Sequence, residues 1–300
     1  MPPRWFIWTV ATLLAWGTWA ILAKRIGDAL SPSQSQVLST LGLLPILAIL
    51  AFNKETYAAG NRRRGILLAF ASGVVSCLGN IPYYAALGGG AKAATVVPLT
   101  ALYPLVTVLL AALLLKERLN RIQAGGVILS LAAIYLFNVP DEDGYLSPWI
   151  GLALVSIVLW GAAALLQKMA TNEISGPASA LWFLVAFAVV AGCMLIYEPL
   201  PENVSLQTWV LVTGLGFALA FGNLTILLAF ATGGKASIIT PLTGLYPLVS
   251  IPIAILVMGE TMNWRESWGV ALALAGVVTL SCETRPKTAP DTALPTESPP

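Results

Sequence analysis

Two nearly identical stretches place tyrosine, threonine and proline side chains inside long apolar runs of the chain. Residues 98–106 read PLTALYPLV, and residues 241–249, at an offset of 143, read PLTGLYPLV. In each stretch the threonine and the tyrosine are three residues apart, so both lie on one face of a helix. Hydroxyl groups in a bilayer need partners and usually face neighbouring helices or a wet cavity. The spacing predicts a cavity for a small polar molecule, with the wall residues Thr100, Tyr103, Thr243 and Tyr246.

Each stretch also contains two prolines within two helical turns. Proline removes a backbone hydrogen-bond donor and bends a helix. Bent helices at matching positions of two halves point to a central binding site. The alternative is that the prolines and small polar residues only allow close packing of helices. The predicted bends are at Pro98, Pro104, Pro241 and Pro247.

Other polar and aromatic side chains extend this candidate site. Tryptophan usually marks the membrane interface, but Trp16 and Trp160 lie deep within their apolar runs and are therefore candidate cavity walls. Asn80 and Asn223 occupy matching positions, where they would either face the cavity or form hydrogen bonds between helices. The remaining candidates for the wall are Tyr84 and Gln167.

Charged residues lie at the ends of the runs that contain the doubled stretch. Lys92 and Lys235 follow glycine-rich turns, where they would either extend their side chains to the interface or bind a carboxylate or phosphate at a pathway mouth. Glu117 and Glu260 end the same runs, and we expect them to be solvated. No Asp or Glu falls in the middle of a run, which argues against a proton relay through an acid at the midplane.

The composition indicates an integral membrane protein. The 300 residues are 57% hydrophobic and 10% charged, with a mean hydropathy of +0.81, whereas soluble domains carry about 25% charge. The chain has no histidine and shows no nucleophile–base pair, so we expect neither a metal or other cofactor nor enzymatic activity. The net charge of +2 is too small to indicate a nucleic-acid partner.

Apolar runs long enough to cross a bilayer recur along the whole chain. They predict an all-α integral membrane protein with ten transmembrane helices. The approximate spans are 5–23, 33–52, 65–88, 93–115, 122–138, 148–167, 177–197, 207–231, 236–258 and 265–282.

These spans divide into two sets of five that share a repeated pattern. Trp16-Gly17 matches Trp160-Gly161, and Gly79-Asn80 matches Gly222-Asn223. Because five is odd, the second set enters the membrane from the opposite side, which predicts two inverted five-helix repeats around a central cavity. The predicted segments are a first repeat over 1–140, a second over 146–283 and a disordered cytoplasmic tail over 284–300.

Lysine and arginine are concentrated in the loops that would be cytoplasmic if the N-terminus is inside. This bias predicts a multi-pass protein of the plasma (bacterial inner) membrane with both termini cytoplasmic. A monomer is compatible with the sequence, which does not fix the oligomeric state.

The ends of the fourth and ninth spans resemble a known family. LLLKERL (113–119) is followed by AGGVILSLAAIYL, and VMGETM (257–262) is followed by WGVALALAGVVTL. Over about residues 5–282 the chain resembles the drug/metabolite transporter superfamily, of the EamA-domain type. The resemblance implies a basket of helices around a cavity lined by the first, third, fourth, sixth, eighth and ninth spans. Members of the superfamily export amino acids, import choline-like amines or sugars, or exchange nucleotide sugars and sugar phosphates.

Together, these patterns favour a secondary, alternating-access transporter of small polar or zwitterionic metabolites, in the first place an exporter of amino acids or related metabolites. Its partners would be the small-molecule metabolite and the lipid bilayer. One alternative is an importer or exchanger of sugars or sugar phosphates, in which Lys92 and Lys235 would contact the ligand. Another is a membrane sensor that transports nothing.

Overall fold

The computed structural model describes residues 2–57, 62–116, 119–138, 147–233, 239 and 242–282. Within these residues the regular elements are helices, together with the short 3-10 turns Gly27–Ala29 and Lys54–Tyr57. The helices are α1 (Arg4–Ile26), α2 (Pro32–Phe52), α3 (Arg62–Gly88), α4 (Ala93–Thr100), α5 (Tyr103–Leu114), α6 (Arg121–Phe137), α7 (Pro148–Thr171), α8 (Gly176–Tyr197), α9 (Leu206–Ala231), α10 (Pro247–Met258) and α11 (Trp264–Leu280). The predicted all-helical fold is confirmed.

Seven stretches of the described residues are long and apolar enough to cross a membrane. They are α1, α2, α3, α4 taken with α5, α7, α8 and residues Leu206–Ala229 of α9. Helices α6 and α10 are shorter and also apolar. Large apolar side chains such as Phe52, Leu206 and Leu256 are at least 80% exposed. Such exposure is expected for a surface that contacts lipid tails. The chain is a multi-pass membrane protein.

Two helices begin with the same polar device at equivalent positions of the repeat. The side chain of Asn120 accepts a hydrogen bond from the Gln123 amide at the start of α6, at 2.8 Å. Asn263 accepts one from the Glu266 amide at the start of α11, at 2.9 Å. In both cases the side-chain oxygen of the third helical residue accepts a hydrogen bond from the backbone amide of the cap residue. The two bonds satisfy amide groups that have no partner within the helix.

The fourth predicted span is divided into two helices. Helix α4 ends at Thr100 and α5 begins at Tyr103, with a turn at Ala101 and Leu102 between them. Pro104 explains the division, because it has no amide proton for the carbonyl of Thr100, and its ring would collide with that carbonyl in a continuous helix. The Leu102 amide instead donates to the carbonyl of Leu99, three residues earlier in the chain.

The ninth predicted span shows the same feature where it is described. A turn over residues 244–246 precedes α10, which begins at Pro247. Pro98 lies inside α4, and Pro241 lies outside the described residues. Both repeats therefore interrupt a helix beside the same tyrosine-proline pair.

Helices from the two halves of the chain pack against each other in antiparallel pairs. The first helix of each half packs along the third helix of the other half, an arrangement that we call crosswise. In the α3–α7 pair, Gly65 lies against Ile174 and Gly79 against Trp160. In the α1–α9 pair, Thr12 bonds Thr225 at 2.9 Å. Helix α6 runs antiparallel to α11 in the same way, with Gly126 beside Leu280 and Phe137 beside Gly269. The most extensive helix pairs of the described residues thus join one half to the other.

Glycine permits the closest of these contacts. A methyl group at Gly216 of α9 would overlap the backbone carbonyl of Ser39 in α2, and one at Gly42 would overlap the carbonyl of Thr213. Backbone atoms cannot rotate away as a side chain can, so both positions require glycine.

We expect Gly216→Ala to destabilise the protein by about 1–3 kcal/mol, because a methyl group there overpacks the α2–α9 contact. Gly214→Ala is the matched control two residues away, where the nearest atom to an added methyl is 3.5 Å distant. Thermal unfolding of the detergent-purified variants measures the difference. Equal melting temperatures for the two variants would contradict the packing described here.

Candidate functional site

A cavity of about 830 Å³ lies in the middle of the helix assembly. Its walls come from α1, α2, α3, α5, α7, α8 and α9 and from the turn that precedes α10. Among the residues that line it are the predicted site residues Trp16, Asn80, Tyr103, Trp160, Gln167, Asn223 and Tyr246. The structure therefore brings side chains from both repeats to one cavity.

The cavity wall is largely apolar and, among the described residues, contains no charged side chain. Leucine, alanine and aromatic side chains dominate, and the polar atoms belong to amide, indole and hydroxyl groups. Such a wall can bury the apolar part of a ligand and orient a few polar groups.

One end of the cavity reaches the ends of several helices. Asn53 follows the last residue of α2, Thr171 ends α7, and Gly176 begins α8, and all three line the cavity. We call this the mouth end. The opposite end of the molecule, where α1 and α3 finish and α4 begins, is the closed end.

A cluster of aromatic rings closes the cavity toward the closed end. Trp19 stacks on Tyr83 with 4.9 Å between ring centroids, and Trp160 lies 5.2 Å from Tyr83. Tyr84 lies 5.8 Å from Tyr83 and lines a second, smaller pocket of about 450 Å³. Since Trp19 and Trp160 line the central cavity, the rings separate the two spaces. We call Trp19, Tyr83, Tyr84 and Trp160 the aromatic cluster.

The candidate site residues predicted from the sequence did not include Trp19 or Tyr83. A signal was present, because Trp19 is three residues after Trp16 and Tyr83 is three residues after Asn80, so each shares a helix face with a predicted wall residue. Tyr83 is completely buried.

Asn80 fixes the position of Trp160. The indole Nε1 of Trp160 donates to Asn80 Oδ1 at 3.1 Å and to the Ser76 carbonyl at 3.2 Å. The amide Nδ2 of Asn80 donates to Gln36 Oε1 at 2.9 Å. Asn80 and Gln36 are both buried. Asn80 therefore combines the two roles that the sequence left open, since it bonds neighbouring helices and also lines the cavity.

The equivalent residues of the other half are arranged differently. Asn223 Nδ2 donates to the Leu219 carbonyl of its own helix at 3.0 Å. Trp16 Nε1, Trp19 Nε1 and Gln167 Oε1 are buried atoms with no hydrogen-bond partner within the described part of the chain. Buried polar groups without partners are costly, and these three belong to side chains on the cavity wall. Because the atoms themselves are buried, a ligand would reach them only after a movement of the wall.

Three predicted wall residues do not line this cavity. Thr100 donates its hydroxyl to the Val96 carbonyl at 2.8 Å, and Thr243 donates to the Ile239 carbonyl at 3.0 Å. Tyr84 belongs to the aromatic cluster and lines the second pocket. Ligand contact by these three residues stays a prediction.

Two of the charged residues that the sequence singled out, Lys92 and Glu260, lie at the closed end rather than in the cavity. Lys92 pairs with Glu266, with Nζ 2.8 Å from Oε1. Glu260 is not simply solvated, because its two carboxylate oxygens accept the backbone amides of Ala93 and Ala94, each at 2.8 Å. Lys235 and Glu117 lie outside the described residues.

A further carboxylate is held just beyond α8. The Ser31 hydroxyl donates to Glu198 Oε1 at 2.5 Å, which ties the end of α8 to the start of α2. Hydrogen bonds from Ser31 and then from Ser33 lower the pKa of the Glu198 carboxyl below its usual value, because they stabilise the charged form.

Comparison with known proteins agrees with this architecture. The model of the EamA-like transporter family matches residues 3–139 and again residues 147–282. The uncharacterized protein MJ1333.1 of Methanocaldococcus jannaschii is 31% identical over 126 residues, which are 42% of this chain and 90% of that protein. A solved crystal structure of a protein superposes with a TM-score of 0.62 at 18% identity, covering 91% of this chain and 94% of the other. That likeness shows a shared fold.

The different bonding of the two asparagines predicts different costs of their removal. Asn80→Leu leaves the Trp160 indole without one acceptor and the buried Gln36 without its partner, so we expect a loss of about 1–3 kcal/mol. Asn223→Leu removes a bond to its own helix only and should cost less. Thermal unfolding without ligand makes the comparison, and an equal or larger loss in Asn223→Leu would contradict it.

Proposed function

The chain belongs to the EamA-like transporter family of the drug/metabolite transporter superfamily, and on that basis we propose that it is a secondary, alternating-access transporter of a small polar or zwitterionic metabolite. The central cavity carries this proposal. It is formed by both halves, its described wall holds no charge, and amide, indole and hydroxyl side chains line it. It reaches one end of the molecule, while the aromatic cluster closes it toward the other.

We infer that the two halves are inverted five-helix repeats forming ten transmembrane spans. Alternate spans of one half cross the membrane in the same direction, so the first and third helices of a half are parallel. Helix α1 of the first half runs antiparallel to α9, the third span of the second half, and α3 runs antiparallel to α7. An uninverted copy would make these pairs parallel. The proposed repeats occupy 1–140 and 146–283, followed by a cytoplasmic tail over 284–300.

Alternating access then requires that the closed end opens while the mouth end closes. Inverted repeats allow this, because either half can adopt the arrangement that the other holds. The unequal bonding of Asn80 with Trp160 and of Asn223 with Trp16 is the kind of difference that such an exchange would reverse.

The cavity chemistry supports a zwitterionic substrate such as an amino acid. The side-chain amide of Asn223, which lines the cavity, offers a partner for a carboxylate. The aromatic faces of the wall suit an ammonium group. A phosphate would require lysine or arginine, and Lys92 is paired with Glu266 at the closed end. This weighs against sugar phosphates, while a neutral sugar remains the alternative substrate and a sensor without transport the alternative function.

The proposed orientation places both termini in the cytoplasm of a bacterial cell, with the protein in the plasma membrane. The mouth end, with Arg62, Arg63 and Arg64 at the start of α3, then faces the cytoplasm. A cavity that reaches the cytoplasm is suited to loading a metabolite for export.

We expect one class of metabolite to stabilise the detergent-purified protein against heat. A ligand at 100 times its Kd adds about 2.7 kcal/mol. A panel of amino acids, quaternary amines, free sugars and sugar phosphates, followed by flux of the active class into reconstituted vesicles, identifies the substrate. Stabilisation by a ligand without flux would favour a sensor.

A substitution of Trp16 tests whether the central cavity binds that ligand. Trp16→Phe keeps an aromatic ring but removes part of the indole that lines the cavity, so we expect the Kd to rise about tenfold. Trp268→Phe is the matched control, because Trp268 is 60% exposed on α11. An unchanged Kd in Trp16→Phe, or an equal rise in the control, would place the ligand elsewhere.

We also expect transport without obligate coupling to protons through an acid at the midplane. The chain has no histidine, and the described cavity wall has no carboxylate. The test compares uptake into vesicles with and without an imposed pH gradient. Strong uphill transport driven by the gradient would contradict this expectation.

A further inference from the structure

We infer that Lys24, Lys92, Glu260 and Glu266 form a polar clasp that holds the closed end shut and positions the helices for alternating access. The inference rests on the proposed transport function. All four residues are described, all four lie at the closed end, and three of them act on the start of α4 or on the connection that leads to it.

Glu260 is the central member of the clasp. It follows Gly259, whose φ of +72° ends α10 in a left-handed turn. The Glu260 carboxylate accepts the amides of Ala93 and Ala94, which begin α4 and would otherwise lack partners. The side chain of the N-cap residue, Lys92, makes no such bond. The second repeat thus supplies the negative cap that a helix of the first repeat requires.

Lys24 binds the same connection from α1. Its Nζ donates to the carbonyl of Leu87 at 3.0 Å and to that of Ala91 at 2.7 Å. Leu87 lies in the last turn of α3, where the helix dipole favours a cation. Because α1 packs along α9 and α3 along α7, Lys24 joins the two crosswise helix pairs.

The Lys92–Glu266 ion pair makes the third attachment. Lys92 Nζ lies 2.8 Å and 3.0 Å from the two carboxylate oxygens of Glu266. Glu266 also accepts the Asn263 amide at 2.7 Å, so the start of α11 holds its side chain in place. The connection between α3 and α4 is therefore held by α1 on one side and by the α10–α11 turn on the other.

The clasp lies directly above the aromatic cluster. Tyr83 and Tyr84 are about one turn before Leu87 on α3, and Trp19 is about one turn before Lys24 on α1. A movement of α1 away from the end of α3 would separate Trp19 from Tyr83 and would break the Lys24 bonds. A movement of one repeat against the other also breaks the bonds of Glu260 and Glu266.

The repeat does not reproduce the clasp completely. By sequence, Glu117 corresponds to Glu260, but Gln123 corresponds to Glu266. Gln123 donates instead to the Leu280 carbonyl at 3.3 Å. An ion pair at this position is therefore specific to the closed end, and it favours the conformation in which that end is shut.

Accessibility of one cavity residue from each side tests the clasp. In a background with Cys77, Cys193 and Cys282 replaced, Ala164→Cys on the cavity wall is the reporter. Whole cells and inverted vesicles are labelled with a membrane-impermeant maleimide in the absence of substrate. With the clasp intact, we expect fast labelling from the mouth side and slow labelling from the closed side.

Glu260→Gln should raise the rate of labelling from the closed side about tenfold, because two hydrogen bonds lose their charge, and it should lower the rate from the mouth side. Glu117→Gln, at the matching position of the other repeat, should not raise the rate from the closed side. A change of both rates in the same direction would indicate general loosening and overturn the clasp, as would unchanged rates.

The Lys92–Glu266 pair provides a second test if Glu260→Gln does not accumulate. Lys92→Gln should raise labelling from the closed side, while Lys92→Arg should preserve the ion pair and the wild-type rate. Equal rates for the two variants would also overturn the clasp. Because labelling needs no substrate, a shift of sidedness in a protein without flux would keep the clasp and reject the transport function.

Discussion

Polar groups inside a bilayer have no water to bind, and the arrangement of this chain follows from how each of them finds a partner. Many hydroxyls, such as that of Thr100, bond a carbonyl of their own helix. Asn80 and Gln36 bond each other across helices. Of the buried groups left without a partner among the described residues, the Trp16 indole nitrogen and the Gln167 side-chain oxygen belong to side chains that line the central cavity. The same constraint that stabilises the assembly therefore leaves unpaired polar groups beside the cavity.

The crosswise packing couples the cavity wall to the relative movement of the two halves. Trp16 of α1 lies over Gly222 of α9, and Trp160 of α7 lies over Gly79 of α3. Each tryptophan is thereby fixed by the other half, and both line the cavity. A movement of one half against the other must change the position of these rings. The aromatic cluster is thus a natural part of the barrier that such a movement would open.

Charged side chains lie at the ends of the molecule, whereas the polar side chains around the cavity are neutral. Lys24, Lys92, Glu260 and Glu266 bind backbone atoms or each other near the interface, where charges cost less than at the centre. A barrier made of apolar rings in the middle and charged bonds at the end can be strong without leaving a charge in the substrate path. That division is consistent with a cavity that selects its ligand by shape, aromatic contact and hydrogen bonds.

The sequence by itself determined the all-helical membrane fold, the repeated stretches and the lack of charge in the middle of the spans, because composition and periodicity act locally. Seven of the ten side chains that the sequence suggested for the wall line the cavity, whereas Thr100 and Thr243 do not, because a turn separates each of them from the tyrosine three residues later. Only the tertiary structure decided that Asn80 holds Trp160 while Asn223 bonds its own helix, and that Glu260 caps α4. These partners lie far apart along the chain, and the rotation of each helix is set by packing against the other half.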